Sequence, residues 1–253
     1  MRRHAIAATS FLLALALLLV AGAIRPASAA SINYGDHIVP GATFEDVTES
    51  SITDPVPLYG PPTGFAVGLD FDPTNFVATA SGGASDITDG QLNTTITLSS
   101  LLGVSAINVF EAGDFTLAGS GTSATQATAG AILRATVTQI DGAFIAPLSL
   151  TPVNASVSFN LAANPGVVQP WSLGLGLNVA AQLVGLGFGP DQRATQVEIV
   201  IDNQLLALSE LASVSFIAKK DFRIDVATIV PEPSAALLVL GALLAWPLAR
   251  RRG

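Results

Sequence analysis

Val153-Asn154-Ala155-Ser156-Val157-Ser158-Phe159-Asn160-Leu161 carries an apolar residue at every odd position and a polar one at every even position. Successive side chains of an extended chain point to opposite faces, so this period of two describes a strand with one face in a core and the other in water. The same period recurs in Phe65 to Phe71, Leu92 to Leu98, Leu133 to Val137, Gln196 to Ile201, Val214 to Ala218 and Phe222 to Val226. Turn formers separate the runs, as in Pro61-Pro62-Thr63-Gly64, Ser81-Gly82-Gly83 and Asn164-Pro165-Gly166. Leu205, Leu208 and Leu211 recur at helical spacing, but Asp202-Asn203 just before them reads better as a hairpin turn with Leu206 to Ser209 returning as a strand. Many short strands with turn signals between them predict an all-β fold, an antiparallel β-sandwich of jelly-roll type.

Outside these runs the two ends of the chain are of another kind. Arg2 and Arg3 precede an apolar run from Phe11 to Ala23, and Ala27 and Ala29 stand at the spacing of a signal-peptidase site. Residues 1–29 therefore read as a signal helix removed on export, leaving a body over 30–229. At the other end, Val230-Pro231-Glu232-Pro233-Ser234 leads into an apolar stretch from Ala235 to Ala249 and then Arg250, Arg251 and Arg252. The prolines keep helix from beginning before Pro233. The fifteen apolar residues give roughly 22 Å of helix at about 1.5 Å each, short of the roughly 30 Å hydrocarbon core. The expectation is a marginal membrane anchor whose arginines stay on the cytoplasmic side.

That order of Pro-Glu-Pro, short apolar helix and arginine cluster over residues 230–253 resembles the PEP-CTERM sorting signal of Gram-negative bacteria. The resemblance implies export, a transient hold at the inner membrane, and cutting near Pro231-Glu232-Pro233 by an exosortase, a membrane transpeptidase-like enzyme. A plain C-terminal anchor is the alternative.

Between residues 31 and 230, 18 Asp and Glu stand against 5 Lys and Arg, a net charge of −13. Such a body repels nucleic acid and anionic lipid. The chain has no cysteine, which excludes disulfides, thiolate metal sites and cysteine nucleophiles. His37 is the only histidine left after signal cleavage, so a Ser-His-Asp triad would have to use it. Lys219-Lys220 is the only basic pair of the body and marks a turn or bulge, or a charged edge opposing sheet-to-sheet association. The small polar stretch from Gly119 to Gly130 reads as a long loop within one domain, with a two-domain split as the alternative.

Asp70 and Asp72 end one predicted strand on the same face, and Asp86 and Asp89 follow across a turn; carboxylates converging from strand ends suit calcium, so these four are the candidate metal ligands. No other cofactor is expected. Glu45, Asp46 and Glu49 form a second acidic group. A pair of such acids could serve glycoside hydrolysis, but nothing marks one pair above the rest. Gly174-Leu175-Gly176 lacks the companions of a nucleotide loop. Trp171, Tyr34 and Tyr59 offer flat faces for a sugar ring, with core packing the alternative for Trp171. Asn93-Thr94-Thr95 and Asn154-Ala155-Ser156 are sequons by pattern only. The sequence thus predicts a non-enzymatic exported β-sandwich of the cell surface or extracellular matrix, with signal peptidase, an exosortase and an exopolysaccharide as partners and no nucleic acid. A carbohydrate-binding or calcium-dependent adhesive module is the second reading, and a secreted hydrolase the third.

Overall fold

The computed structural model describes residues 30–99 and 102–230. They form fourteen strands and one short helix, and every strand pairing is antiparallel. One layer is built on β3 (Ala42–Ser51), β7 (Ser85–Leu98), β13 (Ala194–Leu208) and β9 (Gln126–Ile140), side by side in that order. β1 (Ala30–Asn33) and β2 (His37–Val39) border β3; β10 (Ala143–Ser149) and β11 (Val153–Asn160) border β9. The other layer centres on β8 (Gly103–Ser120) and β14 (Ala212–Ile229), with β12 (Gly166–Asn178) on the far edge of β8. The free edge of β14 is shared by β6 (Val77–Ser81) and β5 (Gly68–Phe71), and β4 (Thr63–Phe65) closes on β5. A single pairing, Ala194 with Val104, joins the layers.

The core lies between them because each strand turns its apolar alternate positions inward. On β13 these are Val197, Ile199, Ile201, Leu205 and Ala207, all buried; facing them are Val109, Phe115 and Leu117 of β8 and Ile217, Phe222 and Ile224 of β14. Each such side chain contributes about 1.5–3 kcal/mol on burial, which is how a chain without disulfides holds two layers together.

The all-β antiparallel expectation is met, with differences in detail. Asp202 and Asn203 do not turn a hairpin: β13 runs straight through them. Val214–Ala218 and Phe222–Val226 are two halves of one strand, β14, with a register shift at Lys219 to Asp221 where a bulge was one of the readings. Phe65 to Phe71 is not one strand but a hairpin, because Ala66, at φ 39°, turns β4 into β5. The stretch 119–130 belongs mostly to β8 and β9, and strands from both sides of it interleave: β7 lies between β3 and β13, and β14 lies on β8. Sequence periodicity missed the helix α1 (Val179–Gly185), which is capped by Asn178 accepting from Ala181 N at 2.8 Å. Among the described residues no helix is long and apolar enough to cross a membrane. The expected signal segment with Ala27 and Ala29, and the sorting segment with Pro231, Glu232, Pro233, Arg250, Arg251 and Arg252, lie outside the described residues.

Candidate functional site

The polar alternate positions of the first layer face solvent, and the antiparallel register sets them in rows across the strands. One row reads Ser50 on β3, Gln91 on β7, Asp202 on β13, Ile132 on β9 and Asn154 on β11. The next reads Asp89, Gln204, Gly130 and Ser156. Together they line a groove of about 740 Å³ running across five strands. Four inter-strand steps of about 4.8 Å make it roughly 19 Å long, the reach of an extended oligomer.

Gly130 explains why the face is hollow. A Cβ there would meet Ala155 O and Ser156 Cβ at 3.8 Å, ordinary contact distances, so the glycine lowers the groove floor by one side chain and relieves no clash. The walls are fixed by their own polar contacts. Asp202 is held by an ion pair with Arg134 and by Gln91 Nε2, which donates to Asp202 Oδ1 at 2.6 Å. Asn93 Nδ2 donates to Gln91 Oε1 at 3.4 Å. Asp89 Oδ1 accepts from Ser51 Oγ at 3.2 Å, Ile52 N at 3.3 Å, Thr53 N at 3.0 Å and Thr53 Oγ1 at 2.5 Å, pinning the chain that leaves β3 to the groove's end. Exposed Ile52 adds an apolar surface there. A shallower depression of about 340 Å³ over Thr48, Asn93, Thr95, Glu198 and Val200 continues the same face. Amides, hydroxyls and anchored carboxylates on a rigid sheet can exchange hydrogen bonds with a hydroxyl-rich polymer.

The four aspartates read as metal ligands are taken up separately. Asp70 pairs with Arg223 at 3.0 Å, Asp72 is exposed beyond the end of β5, Asp86 Oδ2 accepts Thr79 N at 2.7 Å, and Asp89 is the groove wall. Among the described residues no three His, Cys, Asp or Glu are grouped to hold a metal ion. The second acidic group also separates, because a register shift between Glu45 and Thr48 turns Glu49 into the core while Asp46, at φ 50°, stays exposed.

Of the aromatic residues, Trp171 is buried with Nε1 donating to Ala218 O at 3.0 Å, Tyr59 is buried with its hydroxyl donating to Gly90 O at 3.1 Å, and Tyr34 donates to Glu49 Oε2 at 2.9 Å. Core packing is what the first two do. Burial and the Glu49 carboxylate hold the Tyr34 hydroxyl well above the usual phenol range. His37 pairs with Phe44 in the β2–β3 ladder. Lys220 is exposed and ion-paired with Asp114, whereas Lys219 is buried, the reverse of a charged edge. The sequence alone does not mark Gln91, Gln204, Asn154 and Ser156 as binding residues; the available signal is the polar half of each alternating run, including the sequon pattern at Asn154.

No family model matches the chain, and no curated protein does. Among solved structures, a carbohydrate-binding module in complex with β-1,4-galactotriose is 10% identical, with 63% of this chain and 88% of that one aligned and a TM-score of 0.23. A carbohydrate-binding module described for specific mannan recognition is 10% identical over 77% of this chain and 96% of its own, TM-score 0.25. The VP2 subviral particle of infectious bursal disease virus is 11% identical over 76% and 43%, TM-score 0.27. Scores this low assign neither a family nor a ligand.

Proposed function

We propose that the chain is a non-catalytic binding module for an extended polysaccharide, laid across the β3–β7–β13–β9–β11 groove. The observation that carries this reading is the groove itself: two registered rows of mostly polar side chains, interrupted by apolar Ile132 in one and by Gly130, which lowers the floor, in the other. Sugar hydroxyls are both donors and acceptors, and Gln204 and Asn154 each present both from one amide, while Gln91 is engaged with Asp202 and Asn93. Both groove carboxylates are already engaged, Asp202 by Arg134 and Asp89 by its hydroxyl and backbone donors, which favours binding over acid–base chemistry.

The motifs at the two sequence ends support a place at the cell surface or in the extracellular matrix for this module: export behind the 1–29 signal, a hold at the inner membrane by the 230–253 segment and release by an exosortase. An exopolysaccharide of that matrix is then the ligand. A glycan array probed with the purified chain, followed by product analysis on the ligands it retains, tests both halves of the reading. Retention of an intact neutral polysaccharide is expected, because the acidic body and the two groove carboxylates repel polyanions. Failure to retain any glycan overturns the binding claim, and shortened products overturn the claim that the module is non-catalytic.

A further inference from the structure

Three polar side chains from three strands meet inside the core: Glu111 on β8, Asn203 on β13 and Lys219 on β14, exposed by 0%, 2% and 1%. Lys219 Nζ lies 2.8 Å from Glu111 Oε2 and donates to Asn203 Oδ1, while Asn203 Nδ2 donates to Glu111 Oε1 at 2.8 Å. The three groups are in mutual contact, with Glu111 Oε2 held by the ion pair and left free of any aligned hydrogen bond. Around it are rings, with Nζ 5.5, 4.5 and 5.1 Å from the ring centroids of Tyr59, Phe76 and Phe222.

The packing holds this arrangement in place. Gly90 has no side chain because a Cβ there would fall 2.7 Å from the Phe76 ring and 3.1 Å from that of Tyr59. The bulge that presents Lys219 is fixed by its own N–H, donating to Phe76 O at 2.9 Å, and by Trp171 Nε1 on Ala218 O. A buried lysine and glutamate are costly to desolvate, and apolar residues of similar size often serve a core as well. Here the burial also pushes the Lys219 ammonium down toward its neutral form, against the opposing pull of Glu111. A neutral amine is the nucleophilic form of lysine.

We propose that Lys219 and Asn203 condense into an isopeptide bond in the folded chain, with Glu111 as the catalytic proton carrier. Nζ of Lys219, in contact with the carboxamide, attacks Cγ of Asn203. The Nζ–Cγ bond forms and the Cγ–Nδ2 bond breaks. Glu111 takes the two protons that Nζ loses, one after the other at Oε2, and hands both to the leaving nitrogen from Oε1, so its two oxygens face the attacking and the leaving nitrogen. Lysine ammonium and asparagine carboxamide become a secondary amide and an ammonium ion; charge and atoms balance, and no oxidant is needed. The product takes the lysine charge out of the core. It also ties β13 of one layer to β14 of the other, across 16 residues of sequence, in a chain with no cysteine to make such a tie.

Mass spectrometry of the folded chain tests this. The denatured protein is expected to weigh one ammonia less than its sequence. Trypsin cuts after Arg193 but not after an acylated lysine, so the map should contain residues 194–220 as one peptide, lighter by one ammonia and giving no backbone fragments between Asn203 and Lys219. Glu111→Gln should restore the full mass and the cut after Lys219. If that variant does not fold, the parent's map still decides. Recovery from the parent of peptide 194–219 at full mass, ending in free Lys219, overturns the proposal and leaves a hydrogen-bonded ion pair.

Discussion

Glu49 and Tyr59 lie ten residues apart in the chain, and in the fold Glu49 Oε2 accepts the Tyr59 N–H at 3.0 Å from a position with no exposure to solvent. The same carboxylate accepts Leu58 N at 2.7 Å, Gly60 N at 3.2 Å and the Tyr34 hydroxyl at 2.9 Å. One inward-turned acid therefore anchors the segment that brings Tyr59 into the core against Phe71, Phe76 and Phe222. Glu49→Ala would leave three backbone donors without this acceptor. At about 1–3 kcal/mol for each buried group left unpaired, the expected loss is about 4 kcal/mol, a large share of an ordinary domain's stability. Urea unfolding checks it, and Glu49→Gln, which keeps one acceptor oxygen, should lose less.

Gly113 sits where β8 passes the β14 bulge. A Cβ there would stand 1.9 Å from Ala218 O, the atom that also accepts Trp171 Nε1. Backbone must move to admit it, so Gly113→Ala is expected to cost about 3 kcal/mol and to increase Trp171 exposure, read by its fluorescence shift on the same melt. Gly130→Ala, whose Cβ would make only ordinary contacts at 3.8 Å, is the matched control and should change little.

Glu210, between β13 and β14, accepts Thr122 N at 2.5 Å and Thr125 Oγ1 at 2.9 Å from the β8–β9 connection, and these bonds hold its carboxyl below the usual glutamate range. An acid lowered in the fold contributes stability that is fully present above its ordinary value and is lost as pH falls through the lowered one. Glu210→Gln should therefore be less stable than the parent at neutral pH, and the gap in urea midpoint should close in acid. A gap independent of pH would assign the difference to packing instead.

The alternation that announces β7, β9, β11, β13 and β14 is legible because a two-sided sheet needs it. What was not legible is where a polar residue takes an inward slot. Asn203 follows Ile199 and Ile201 on the core face of β13, and an Asp-Asn pair by itself favours a turn. It stays in the strand because Glu111 and Lys219 satisfy its carboxamide, partners 92 and 16 residues away. The groove was hidden for a related reason. Asn154, Gln91 and Gln204 look like ordinary solvent-facing positions until the register lines them up, and Gly130 looks like part of a linker until β9 places it between Gln204 and Ser156.

The export reading makes its own prediction. Deleting residues 234–253 should release a soluble periplasmic body, because no other long apolar run remains after signal cleavage. Replacing Pro231, Glu232 and Pro233 with alanine should leave membrane anchoring intact and block processing in a host that carries an exosortase. Fractionation and intact mass of the three forms check both; trimming of the alanine variant like the parent reduces the segment to a plain anchor.

The polysaccharide is proposed to lie on the sheet face around Gly130. Calorimetric titration of the parent and of Gly130→Leu, with the ligand selected by the glycan array, is the test, because Gly130 lines the groove, a Cβ there meets nothing closer than 3.8 Å, and the further atoms of leucine extend into the groove. The parent should bind, and the variant should lose at least about tenfold in affinity, about 1.4 kcal/mol, at an unchanged melting temperature. Equal affinity of the two proteins would contradict the claim.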